Sequence, residues 1–158
     1  KYSMNPEVFY PLVTSSTEKN LMKDRFFVDT NILIYFVSND VIKKNISKDI
    51  LITNEGIMVN SQVISEFVTV AIKKQILSIA DAFKYAGEFI DICEFSIVKK
   101  ETIKLSFELM TKHKHSYWDS LIIASALENN CTLLYTEDMQ NGQIIEDRLN
   151  IINPFKQK

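Results

Sequence analysis

Glycine and proline are scarce in this chain, three of each among 158 residues. Few connections can therefore need unusual backbone angles, and the composition favours a compact, helix-rich fold with short loops. Cysteine is rarer still. Cys93 and Cys131 lie far apart, form no Cys-x-x-Cys pair and have apolar neighbours. They read as buried free thiols, which suits a reducing cytosol and a cytoplasmic protein. No apolar run reaches the roughly 18 residues needed to span a bilayer. No signal peptide is visible, and no membrane partner is expected. Excess positive charge is missing too. The formal net charge is −2, so global electrostatics give a nucleic-acid partner no support. Local charge gives some, through Lys43-Lys44, Lys73-Lys74 and Lys99-Lys100. Those pairs fit solvated helix surface, with a phosphate-binding patch as the alternative.

What is present is enough apolar material for one sizeable core, 46% of the residues. Residues 1–24 stand apart. They are polar and turn-rich, with Pro6, Pro11 and Thr14-Ser15-Ser16-Thr17, and show no apolar period. They are set aside as an N-terminal extension, native or appended, or part of a partner peptide. The domain is placed at residues 25–158.

From residue 26 the elements alternate. Apolar runs predict strands at 26–29, 57–59, 95–98 and 131–135, with an edge strand near 150–152. Helices are expected over 30–37, from 41 to about 53, from 61 to 73, from 79 to 92, over 100–112 and from 116 to about 129. Inward stripes are expected at Val41, Ile42, Ile46, Ile50 and Leu51, at Ala82, Phe83, Ala86, Phe89 and Ile90, and at Ile103, Phe107 and Met110. Strands alternating with helices indicate an α/β fold with a mostly parallel sheet. No internal repeat or low-complexity segment interrupts it.

Four acids fall at junctions of these elements. Asp29 and Asp138 follow apolar strands, on the edge where parallel sheets bind ligands. Glu66 and Asp119 lie near the starts of helices. Carboxylates gathered in one pocket repel one another and commonly share a divalent cation. Each acid also has a structural reading. Asp29, with Thr30 and Asn31 after it, could cap a helix. Glu66 borders an apolar stripe and could simply reach solvent. Asp119 could complete a capping box with Ser116. Asp138 could be a turn residue, and Glu137 could take its place as a ligand. Taken together they point to metal-assisted chemistry on a phosphate. Oxygen donors with no His or Cys among them select Mg²⁺ or Mn²⁺ over Zn²⁺. His113 and His115 read as surface residues.

Four segments carry a family resemblance: Phe27-Val28-Asp29-Thr30-Asn31-Ile32-Leu33, Ser61-Gln62-Val63-Ile64-Ser65-Glu66-Phe67, Tyr117-Trp118-Asp119-Ser120-Leu121-Ile122-Ile123-Ala124, and Leu134-Tyr135-Thr136-Glu137-Asp138-Met139-Gln140-Asn141-Gly142. In this order and spacing, over about residues 25–153, the chain resembles the PIN-domain ribonucleases, most of all the VapC-like toxins of bacterial toxin–antitoxin pairs. The resemblance implies a three-layer fold, a mostly parallel four- or five-stranded sheet flanked by helices. It implies an endoribonuclease that hydrolyses RNA phosphodiester bonds with Mg²⁺ or Mn²⁺, a cognate antitoxin protein as partner, and a homodimer. Asp29, Glu66, Asp119 and Asp138 fall on the family's acidic positions, as catalytic and metal-binding residues, with Thr30 and Asn31 as polar companions. Asp138 aligns better than Glu137 with the last acid. A catalytically silent antitoxin-binding or repressor subunit is the alternative. An aspartyl-phosphate phosphatase would want an Asp where Asn31 stands, and a phospho-receiver domain would want a Lys after a late strand.

Overall fold

The structure, a computed structural model, describes residues 24–156. The N-terminal extension of the sequence reading, apart from Asp24, lies outside the described residues. In chain order the strands are β1 (Phe26–Val28), β2 (Ile57–Asn60), β3 (Glu94–Ser96), β4 (Leu133–Tyr135), β5 (Ile144–Ile145) and β6 (Leu149–Ile152). The helices are α1 (Thr30–Val37), α2 (Val41–Thr53), α3 (Ser61–Lys73), α4 (Ile79–Ile92), α5 (Lys100–His113) and α6 (Tyr117–Glu128). The strands form one sheet in the order β3-β2-β1-β4-β6-β5. All pairs are parallel except β5 with β6. This is the expected α/β fold, a sheet flanked by helices in three layers.

Two details of the sheet differ from expectation. It has six strands among the described residues, because Ile144–Ile145 adds a two-residue antiparallel edge too short to show a period. The strand at Leu149–Ile152 is consequently internal, held between β4 and β5.

Three helices turn differently from the expected stripes. Val41 and Ile42 of α2 are exposed, while Ile50 and Leu51 of the expected stripe are buried together with Ser47. Phe83 and Ile90 of α4 are exposed beside buried Ala82, Ala86 and Phe89. Phe107 and Met110 of α5 are exposed, and the buried face carries Thr102, Ser106 and Leu109. The physical reason in α5 is its close packing on α6. Small hydroxyl side chains permit that approach once their polar groups are satisfied. Thr102 Oγ1 donates to Glu128 Oε2 at 2.6 Å, and Ser106 Oγ donates to the Ile103 carbonyl at 2.7 Å.

Helix α6 is buried continuously from Ser120 to Leu127. A helix enclosed on all sides is a rigid central member. Asn60, fully buried at the end of β2, ties it to α3. Asn60 Oδ1 accepts from the Val63 amide at 2.8 Å, capping α3, while its Nδ2 donates to Ser125 Oγ in α6 at 2.8 Å. One side chain thus sets the start of α3 against the middle of α6. Asn60→Ala should lower stability by about 2 kcal/mol, through loss of the cap and of a buried hydrogen-bond partner. Urea denaturation checks this: the midpoint should fall with the slope unchanged. An unchanged midpoint would show that the bridge contributes nothing.

Candidate active site

Parallel β1 and β4 lie side by side in register, so their carboxyl ends stop at one level. The Asp29 amide donates to the Tyr135 carbonyl at 3.0 Å, extending the ladder one step past both strands. There Asp29 and Thr136 meet. Thr136 Oγ1 donates to Asp29 Oδ2 at 2.7 Å, and Asp29 Oδ1 accepts from the Thr30 amide at 2.6 Å. Asp29 therefore does cap α1. Its other oxygen faces the remaining acids.

The next two residues connect those acids. Thr30 Oγ1 donates to Glu66 Oε2 at 2.9 Å. Asn31 Nδ2 lies 3.3 Å from Asp29 Oδ2 and 3.1 Å from Asp138 Oδ2. Asp119 approaches from the first turn of α6, where its amide donates to Ser116 Oγ at 3.1 Å. Ser116 thus caps α6, but the reciprocal half of a capping box is not formed. Among the described residues the Asp119 carboxylate makes no hydrogen bond. Asp29, Glu66, Asp119 and Asp138 all line one cleft of about 380 Å³.

Glu137 lines the same cleft, but its carboxylate is committed elsewhere. It accepts from Tyr35 Oη and pairs with Lys43 Nζ. Burial pushes the Glu137 carboxyl up, yet the bonds from Lys43 and Tyr35 outweigh this and hold it below the usual range. Lys43 Nζ also sits 4.2 Å from the Tyr35 ring centre, and Phe155 packs edge-on against that ring at 4.9 Å. Asp138, by contrast, reaches Asn31, whose amide also lies near Asp29.

Asp29 is 5% exposed. Burial raises its carboxyl pKa to about 6; the Thr136 and Thr30 hydrogen bonds oppose this, and the charges of Glu66 and Asp138 add to it. Among the described residues, no three His, Cys, Asp or Glu side chains stand close enough to grip one ion as arranged. Thr30 and Asn31 hold the like-charged groups apart. The donor chemistry still fits a hard divalent cation. The acids of the cleft are all carboxylates with no imidazole or thiolate beside them, and one is buried and short of positive charge. The cysteines are buried elsewhere, with both thiols pushed up by burial to about 12.

Three contributors, Thr136, Tyr35 and Lys43, were not legible in the sequence as parts of the site. Thr136 mattered only once β4 lay beside β1; its position directly after a strand was the available signal. Tyr35 and Lys43 act through side-chain contacts that no spacing reveals. Lys74 lines the cleft, and its pairing with Lys73 was the hint. The two histidines are half-buried instead of surface residues. His113 Nε2 lies 2.8 Å from Glu146 Oε1, and α5 ends at His113 so that Lys114 can turn left-handed.

The sign of the Asp29 effect can be measured on metal-free protein. The folded carboxyl releases its proton near pH 6 and the unfolded one near 3.8. Between these values the folded state holds more protons, so stability falls as pH rises through that window, by about 3 kcal/mol. Asp29→Asn should lack this fall and gain on wild type as pH increases. Urea titrations at several pH values check it. Parallel curves for the two proteins would remove Asp29 ionisation as the cause.

Residues 26–141 match the PIN domain family. Among curated proteins, none matches the chain by sequence. Among solved structures, a Mycobacterium tuberculosis VapC toxin described as cleaving the sarcin–ricin loop superposes with a TM-score of 0.60 at 14% identity, covering 69% of this chain and 86% of that one. A toxin–antitoxin complex from Klebsiella pneumoniae gives a TM-score of 0.65 at 18% identity, over 85% of this chain and 100% of that one. The VapBC2 pair of Rickettsia felis, bound to a DNA fragment from its promoter, gives 0.61 at 19%, over 81% and 98%. Identities this low speak for the fold alone. The family match covers most of the length, and this chain belongs to the PIN domain family.

Proposed function

We propose that this protein is a metal-dependent endoribonuclease, the toxin of a toxin–antitoxin pair, acting in the cytoplasm with Mg²⁺ or Mn²⁺. The observation that carries the reading is the meeting of Asp29, Glu66, Asp119 and Asp138 in one cleft at the carboxyl ends of β1 and β4. Membership of the PIN family and the likeness to toxins seen with their antitoxins support it.

Asp29, Asp119 and Asp138 would hold the ion, directly or through water. When bound, a divalent ion lowers the pKa of water toward neutrality and offsets charge developing on the phosphate. Glu66 would orient the attacking water or hold a second ion, its carboxylate fixed by the Thr30 hydroxyl at 2.9 Å. Asn31 spaces Asp29 from Asp138. Lys74, on the cleft wall, meets the RNA backbone. In-line attack by water leaves a 5′-phosphate and a 3′-hydroxyl.

A second copy of the chain and a cognate antitoxin protein complete the assembly. Val41, Ile42 and Ile52 expose apolar surface on α2, which supports an interface there.

Cleavage of end-labelled RNA tests the reading. Wild type should cut in Mg²⁺ or Mn²⁺, stop in EDTA and leave 5′-phosphate ends. Asp119→Asn, whose carboxylate makes no structural hydrogen bond, should abolish cleavage at unchanged thermal midpoint. Asn31→Ala should weaken metal affinity by about 10–100-fold. Cleavage that persists in EDTA, or in Asp119→Asn, would reject the metal role. A folded protein that binds metal and cuts no RNA would favour the silent binding subunit.

A further inference from the structure

The acid cleft has a neighbour. Trp118, Gln62 and Glu66 line both it and a second hollow of about 590 Å³, whose walls also include Ser65, Thr69 and Leu121. Trp118 is the only tryptophan of the chain, and 63% of it is exposed. An exposed indole offers a flat aromatic face on which a second ring can stack. Its mounting is firm. Tyr117 packs edge-on against it at 5.1 Å, and Phe107 backs Tyr117 at 6.1 Å. Gln62 Nε2 donates to the Trp118 carbonyl at 3.4 Å.

The polar lining of this hollow is rich in acceptors. Ser65 Oγ and Thr69 Oγ1 donate to the carbonyls of Ser61 and Ser65, at 2.7 and 2.8 Å, which leaves their lone pairs free. Gln62 Oε1 is buried and has no hydrogen-bond partner among the described residues. A buried acceptor without a donor is destabilising until a ligand supplies one. The complementary ligand is flat, aromatic and carries N–H groups on its edge. A nucleobase with an exocyclic amino group has all three properties, and Asp119 follows Trp118 directly in the chain.

We propose that Trp118 is the stacking platform for an unpaired nucleobase beside the scissile phosphodiester, with the Gln62 side chain turning its unpartnered Oε1 outward to accept from that base's amino group. The proposal rests on the reading of the chain as an RNA-cleaving enzyme and adds a specificity subsite to it. Stacking makes single-stranded RNA the substrate form. The acceptor wall favours adenine, cytosine or guanine over uracil.

The single tryptophan makes the test direct. Full-length protein in EDTA is titrated with short oligoadenylate and oligouridylate, following Trp118 emission and the anisotropy of the labelled RNA. Oligoadenylate should quench the emission saturably and bind more tightly than oligouridylate. Trp118→Ala should weaken oligoadenylate binding by about 5- to 150-fold, the range expected for one stacked base. Trp118→Phe should recover most of that loss, and Gln62→Ala should narrow the preference for adenine. RNA binding with unchanged Trp118 emission, or equal affinity in Trp118→Ala, would overturn the subsite while leaving the nuclease reading intact. Absence of both RNA binding and cleavage would remove the two together. A Trp118→Ala protein that loses self-association in sedimentation, with oligonucleotide affinity unchanged, would assign the indole to a second copy and overturn the proposal.

Discussion

A buried carboxylate next to two others is the constraint around which this fold is arranged. Asp29 sits at the end of the central strand β1, where only a few donors can reach it. The Thr30 amide, the Thr136 hydroxyl and the Asn31 amide supply them, from the start of α1 and the end of β4. An ionised group in such a place needs every available partner. The pairing of β1 with β4 is therefore more than sheet topology. It delivers Thr136 to Asp29 and, two residues later, Asp138 to Asn31. Among the described residues that short network brings no cation into hydrogen-bond contact with Asp29.

Neighbouring acids in this site have different work because of their partners. Glu137 and Asp138 are adjacent in sequence and chemically alike. Lys43, Tyr35 and the packing of Phe155 draw Glu137 to one wall of the cleft, while the Asp138 amide bonds Thr136 Oγ1 at 3.2 Å and its carboxylate turns to Asn31. A cation already beside Glu137 lowers its appetite for another. An acid held only by an amide keeps its charge available. Asp119 is the extreme case, with no hydrogen bond to its carboxylate among the described residues. The four acids thus range from Asp29, fully engaged, to Asp119, entirely free.

Parallel strands buried on both faces read as short apolar runs, and Phe26–Val28, Ile57–Asn60 and Leu133–Tyr135 were legible for that reason. Several helix starts were legible from their caps, since Asp29, Asp40, Asn60 and Ser116 each accept a backbone amide as their residue type suggests. Inward faces were less legible. Apolar periodicity assumes that apolar residues face the core, and α5 violates it by burying Thr102 and Ser106 against α6 while Phe107 and Met110 stay outside. The same assumption hid Ile144–Ile145, where two residues carry no period at all. In the site, Asp29, Asp119 and Asp138 could be picked out because each stands near an end of an element, whereas Glu66 lies inside α3 and stood out only beside an apolar stripe. Their supports could not, because Thr136, Tyr35 and Lys43 acquire meaning only from strand order and side-chain direction.

Helix α6 joins these levels. Its middle is apolar or small on every side and wholly buried, which removes freedom to tilt or slide. Asn60 fastens that middle to the start of α3, the helix bearing Gln62 and Glu66. The first turn of α6 emerges from the protein, and it carries Trp118 and Asp119 in succession. An aromatic face and a carboxylate are therefore carried side by side by a helix whose middle is buried. A flexible chain crossing this turn could stack a base and present its next phosphodiester without any loop having to close. Core packing at Ser120–Leu127 then bears on the placement of both groups: a change that lets α6 rotate would move Trp118 and Asp119 together relative to Asp29.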